Sequence, residues 1–254
     1  SNLIIPMKFL HNSNYPLVVG LVITLFATAN LSAETIVQYS FNSNLNATTE
    51  DANLTASAVT LGSGLSANPS GDGNAGRSGS SNSLFARASV TNPTNQITSA
   101  TAITANDYFS FTVDVGSGFE MDLTSLTFDL GYTRNGSFEG KQFRTYLLTD
   151  IDGFSSSNLV GYDTVDATVN GGSLQYPNGT TTITLSGAQY QNLTGSTEFR
   201  LYIADNTGSS DYIHRIDNVT LNGEVAAIVP EPGSLAMLGG LMALGYVMVR
   251  RRRA

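Results

Sequence analysis

Between residues 107 and 115 the chain alternates apolar and polar positions without a break. Phe109, Phe111, Val113 and Val115 fall on one side of an extended chain, and Tyr108, Ser110, Thr112 and Asp114 on the other. A period of two marks a strand with one face buried and one face wet. The pattern recurs. Leu126, Phe128 and Leu130 alternate with Thr127 and Asp129, and Phe199, Leu201 and Ile203 alternate with Arg200 and Tyr202. Gln142 to Leu148 mixes aromatic and polar positions in the same way. Further strands are expected at 36–41, 56–61, 84–90, 161–169, 180–185 and 213–221. Residues 68–83, rich in Gly, Ser and Asn, read as a long surface loop. One short helical stretch is expected from Gly187 to Leu193, capped by Ser186. About ten short strands and no long amphipathic helix predict one all-β domain, an antiparallel jelly roll or β-sandwich over residues 34–222.

Two apolar runs stand outside this alternation. Residues 1–6 precede Met7, and Met7-Lys8 opens a weakly basic head. Leu17 to Ala29 is almost continuously apolar, and Ala29 and Ala33 each close a small-residue triplet suited to cleavage. Residues 1–33 therefore read as upstream residues and a secretory signal peptide. At the other end, a linker at 223–233 holds Pro230, Glu231, Pro232 and Gly233. The two prolines lack an N–H and bias their predecessors towards extended backbone, so they part the domain from the apolar run beyond them. Ser234 to Val249 carries no charge and would rise about 24 Å as a helix. It is expected to be a transmembrane helix. Arg250, Arg251, Arg252 and Arg253 would be its stop-transfer cluster, in a basic cytoplasmic tail at 250–254.

Charge sharpens this division. Of 20 acidic residues all but Glu231 lie between residues 34 and 229. Of 12 basic residues only 7 do, the others being Lys8 and the four terminal arginines. A body with 7 basic against 19 acidic residues argues against nucleic acid, whose binding rests on neutralising phosphates. There is no cysteine, hence no disulfide framework and no thiol chemistry.

The C-terminal blocks, Pro230-Glu231-Pro232, then the apolar run, then the terminal arginines, resemble the sorting tail of PEP-CTERM proteins of Gram-negative bacteria. The resemblance covers about the last tenth of the chain. It implies export through the inner membrane and a membrane transpeptidase-like partner, an exosortase, acting near Pro-Glu-Pro. It further implies a mature protein at the cell surface or outside the cell, associated with extracellular polysaccharide or biofilm. A second resemblance lies at Arg215-Ile216-Asp217-Asn218-Val219-Thr220-Leu221, which is similar to the closing strand of jelly-roll carbohydrate-binding modules. That resemblance implies a structural calcium held by Asp217, with oxygens from the Phe41-Asn42 segment, Asn42 above all. No other cofactor is expected.

Catalytic signatures are sparse. The body holds one histidine, His214, beside Arg215 and Asp217, and no Gly-x-Ser-x-Gly elbow. Asp150, Asp152, Asp163 and Asp166 could be paired as glycosidase carboxylates, yet all sit in turn-like settings. Asp150-Ile151-Asp152-Gly153 lacks the later ligands of an EF-hand loop. Tyr132, Phe138, Tyr146, Tyr162, Tyr176 and Tyr202 are candidate sugar-stacking platforms, with core packing as the competing use. The expectation is a non-enzymatic, exported surface or matrix protein with no catalytic residues. The alternative is a secreted carbohydrate-binding module or glycan-active hydrolase.

Overall fold

The computed structural model describes residues 34–65, 76–78, 82–89, 98–134, 140–167, 174–207, 212–229 and 232–252. The signal peptide, with Ala29 and Ala33, lies outside them, as do Phe138, Pro230, Glu231 and Arg253. Thirteen strands and two α-helices are present among the described residues. In chain order the strands are β1 (Glu34–Tyr39), β2 (Thr49–Glu50), β3 (Leu54–Ala56), β4 (Thr60–Leu61), β5 (Gly76–Ser78) and β6 (Ser83–Ala86). After helix α1 (Ser99–Ala105) come β7 (Tyr108–Val115), β8 (Phe119–Arg134), β9 (Gln142–Thr149) and β10 (Gly161–Asp166). The last are β11 (Thr180–Thr184), β12 (Ser196–Asp205) and β13 (Tyr212–Ala227), followed by helix α2 (Pro232–Arg252).

All pairings are antiparallel and build two sheets. One runs β11-β8-β13-β1-β2, with β6 added against β13 and β5 against β6. The other runs β10-β9-β12-β7-β3, with β4 also on β7. The long strands β1, β13, β8 and β11 face β7, β12, β9 and β10, and the first and last strands of the set are neighbours. That wiring is the jelly roll the alternation predicts.

The period of two decides which side chains meet between the sheets. Phe109, Phe111 and Val113 from β7 are buried, as are Phe199, Leu201 and Ile203 from β12. From the other sheet come Leu126, Phe128 and Leu130, and Val37 and Tyr39. Phe111 lies at the centre, its ring 5.1 Å from both Tyr39 and Phe199. β7 is an interior strand, flanked by β12 on one side and by the short β3 and β4 on the other.

Three expectations need correction. Part of the supposed 68–83 loop is strand, because Gly76–Ser78 pairs with β6. The helical stretch after Ser186 is a single 3-10 turn, Ala188–Tyr190, and its N-terminal cap is Gly187 rather than Ser186. A true helix stands where none was expected, at α1. Thr98 caps it by accepting from the Thr101 N–H, and Asn106 ends it in the left-handed region at φ 60°. Its alanines favour helix, while its threonines mask that preference in the sequence.

The fourth correction concerns the tail. Helix α2 is longer than the expected 234–249, yet among the described residues no helix is long and apolar enough to cross a membrane. Its uncharged run rises about 24 Å against roughly 30 Å of hydrocarbon, and Gly239, Gly240 and Gly245 dilute its apolar surface. The helix is also left uncovered: Met237, Leu241, Met242 and Tyr246 are all more than half exposed.

Phe111→Ala is expected to lower stability by about 3–5 kcal/mol, the cost of a cavity under a buried ring. Urea denaturation measures it, and a loss well under about 1 kcal/mol would contradict this packing.

Candidate functional site: a tyrosine row and an adjoining polar cleft

The sheet register lines up four tyrosines on the outward face of the β7–β12–β9–β10 sheet. Tyr108 pairs with Tyr202, Tyr202 with Tyr146, and Tyr146 with Tyr162. Ring centroids are 5.0 Å apart for Tyr108–Tyr202 and 6.1 Å for Tyr146–Tyr162. The row is not open along its length. Ala102 and Ile103 of α1, with Phe154 and Leu159, pack over its middle, so Tyr146 and Tyr202 are buried. Arg200 lies against Tyr108 and Phe154, its guanidinium carbon 4.5 and 3.7 Å from the ring centres, and is paired with Glu198 at 2.7 Å. Burial acts to lower the Arg200 pKa, but the contacts with Glu198 and Tyr202 together outweigh it and the net shift is upward. Tyr162, at the β10 edge, is 60 % exposed. Of the sugar-platform candidates within the described residues, Tyr132, Tyr146 and Tyr202 are buried and Tyr176 is half-buried. Tyr162 alone is exposed.

Beside that edge lies a cleft of about 350 Å³. It is lined by Asp152, Asn158, Leu159 and Val160 from the β9–β10 connection, and by Ser186, Gln189 and Tyr190 from the β11–β12 connection. The connections meet because β10 and β11 close one corner of the sandwich. Gly161 permits it, since a Cβ there would fall 2.6 Å from the Ile183 side chain. The buried Tyr190 hydroxyl donates to Asp152 Oδ2 at 3.0 Å. Burial, with the Asp152 hydrogen bond, raises the Tyr190 pKa, so the phenol keeps its proton and its role as donor.

Of the other candidate acids, Asp150 and Asp166 are exposed and Asp163 is held within the fold. Asp150 and Asp152 belong to a 3-10 turn that ends at Gly153 with φ 75°. Asp163 accepts from the Thr164 N–H, from Asn178 and from Thr181, tying β10 to the neighbouring sheet. His214 is sealed inside: its Nε2 lies 3.2 Å from Asp205 Oδ2, with the two side chains 0 % and 1 % exposed. Thr207 donates to Asp205 Oδ1 from both N–H and hydroxyl, at 2.9 and 2.5 Å. No substrate reaches this pair without unfolding that end of the sandwich.

Asp217 lies opposite Asp129 across the β8–β13 ladder, at a bulge where Asn218 adopts φ 50°. Asn218 donates its N–H to Asp217 Oδ1 and its amide to Asp129 Oδ2, both at 2.8 Å. Among the described residues no three His, Asp or Glu side chains come together to hold a metal. The β1–β13 pairing ends at Tyr39–Val219, two residues short of Phe41 and Asp217.

No family model matches this chain, and no curated protein matches it. Among solved structures, the K1 cleaved adhesin domain of Lys-gingipain from Porphyromonas gingivalis W83 aligns at 13 % identity over 72 % of this chain and 95 % of its own, with TM-score 0.30. A cyclase from Fischerella sp. TAU aligns at 15 % identity over 78 % and 92 %, with TM-score 0.31. TmCBM61 in complex with β-1,4-galactotriose aligns at 15 % identity over 68 % and 90 %, with TM-score 0.24. Similarities this low assign no function.

Burial, with a contribution from Asp129, raises the Asp217 pKa, while the Asn218 N–H opposes the shift. A carboxyl whose folded pKa is raised favours folding at low pH and loses that favour as pH rises through the folded value. Asp217→Asn is therefore expected to stabilise the protein near neutral pH, with the gain vanishing below the ordinary value of 3.8. Denaturation midpoints at neutral and acid pH check this.

Proposed function

We propose that this chain is a non-enzymatic, exported surface protein whose jelly-roll body binds polysaccharide and whose C-terminal segment is a sorting tail. The observation that carries the binding reading is Tyr162. It is the exposed end of a cross-strand tyrosine row, on the strand that begins at a cleft lined by amides, hydroxyls and one carboxylate. A sugar presents an apolar C–H face and a polar edge, so an aromatic ring beside a polar cleft matches both. The non-enzymatic reading is supported by the sealed His214–Asp205 pair and by the acids spent on turns and cross-sheet bonds.

The tail reading rests on sequence and on the uncovered helix. By its sequence, Pro230-Glu231-Pro232 is the segment an exosortase-type enzyme would recognise, at the junction with α2. A helix whose run from 234 to 249 is uncharged and largely exposed is suited to rest against lipid, with Arg250 to Arg253 at anionic headgroups. The signal peptide brings the chain to the inner membrane, and trimming at the tail releases it to the surface or matrix.

Tyr162→Ala is expected to weaken polysaccharide binding roughly tenfold, and Tyr162→Phe to leave it nearly intact. Affinity electrophoresis in polysaccharide-containing gels measures both, and wild-type affinity in the alanine variant overturns the assignment. Mass spectrometry of the mature protein from an exosortase-bearing host is expected to find a start just after Ala29 or Ala33 and a shortened C-terminus. Pro230→Ala/Pro232→Ala is expected to keep its tail. A start at Met7 contradicts export by this signal, and normal trimming of the double variant contradicts sorting at Pro-Glu-Pro.

A further inference from the structure

The cleft has a chemistry that selects among polysaccharides. Its lining residues include no Lys, Arg or His, and its one carboxylate is Asp152. Tyr190 occupies Asp152 Oδ2, which leaves Oδ1 for a ligand hydroxyl. Ser186 and Gln189 are exposed at the rim and can both donate and accept. A sugar diol fits such a set: one hydroxyl donates to the carboxylate, a charge-assisted bond, and its neighbour accepts from the amide. A uronate, sulfate or phosphate group would instead meet Asp152 with no cation to neutralise it. The body as a whole, with 7 basic against 19 acidic residues, adds repulsion rather than relief.

Resting on the glycan-binding reading above, we propose that the cleft formed by Asp152, Ser186, Gln189 and Tyr190 binds neutral hexopyranose polymers and rejects acidic ones. Asp152 both bonds a ligand hydroxyl and supplies the repulsion.

The test uses full-length protein in mild detergent and matched polymers that differ in charge. The pairs are dextran against carboxymethyl dextran, and methyl-esterified against de-esterified polygalacturonate. Affinity electrophoresis gives a dissociation constant for each. The expected result is tighter binding of at least one neutral member than of its charged partner. Asp152→Asn, which keeps an acceptor for Tyr190, is expected to narrow that gap by roughly threefold, the effect of one charge at this range in water. Gln189→Ala is expected to weaken neutral-polymer binding without narrowing the gap. Equal or tighter binding of the charged members overturns this proposal and leaves the broader glycan-binding reading standing. A gap unchanged in Asp152→Asn overturns the role of Asp152. Failure to bind any polymer, neutral or acidic, overturns the glycan-binding reading itself.

Discussion

The ladder between β8 and β13 is the constraint on which the rest of the sandwich depends. It runs from Tyr212–Arg134 to Ala227–Phe119, nearly the full length of both strands. β13 has a second edge, and two strands share it. β6 takes His214 to Ile216, and β1 takes Val219 to Gly223. The bulge at Asp217–Thr220 falls between those two partners. A bulge raises local twist and lets one strand serve neighbours of different direction. Asn tolerates the left-handed backbone required at Asn218, and its side chain bonds Asp129 Oδ2 at the irregularity. What the sequence presents as a candidate ion ligand, Asp217, is thus part of the device that lets the first and last strands of the fold close on one another.

Much of the fold was legible because the hydrophobic effect writes directly into a period of two. β7 and β12 show the alternation plainly, and the same residues are buried. Less was legible where burial is decided by a distant segment. Tyr146, Tyr162 and Tyr202 look alike in sequence, each in an outward position of a strand. α1 separates them by covering the middle of the row, and α1 itself is a short Ala/Thr stretch with weak local preference. The cleft is harder still to foresee. Its two walls are thirty residues apart in the chain and adjoin only because β10 and β11 meet at a corner, where Gly161 lets Ile183 in. Turn residues such as Asp150-Ile151-Asp152-Gly153 and Ser186-Gly187 announce loops, but nothing in them says that the loops face each other.

The tail shows the opposite relation. Its three blocks are the clearest feature of the sequence, while the structure adds only that the helix is apolar on every side and uncovered by the body. An apolar helix left uncovered is costly in water, at roughly 25 cal/mol per Å² of apolar surface, so the helix requires an apolar surrounding for as long as it remains attached. Removal of the segment would relieve that requirement and leave an acidic β-sandwich with an ordinary surface. Trimming at the tail, as proposed above, would act on that contrast between the two parts of the chain.

The two ends of β9 differ in how far they are sealed from solvent. At its start, Phe143 meets the His214 ring edge-on at 5.0 Å, and His214, Asp205 and Thr207 form a buried polar knot. Breaking such a network exposes unpaired polar groups to the interior, so that end resists opening. At its finish, after Thr149, the chain enters the exposed turns that wall the cleft. The eight residues of β9 span about 23 Å, so the locked end and the open end are a full strand apart. Side chains on the open end can change without disturbing the knot, because they share no partners with it. A rigid sandwich closed at one end by buried polar bonds and left polar and accessible at the other is the arrangement in which binding loops can vary while the scaffold holds.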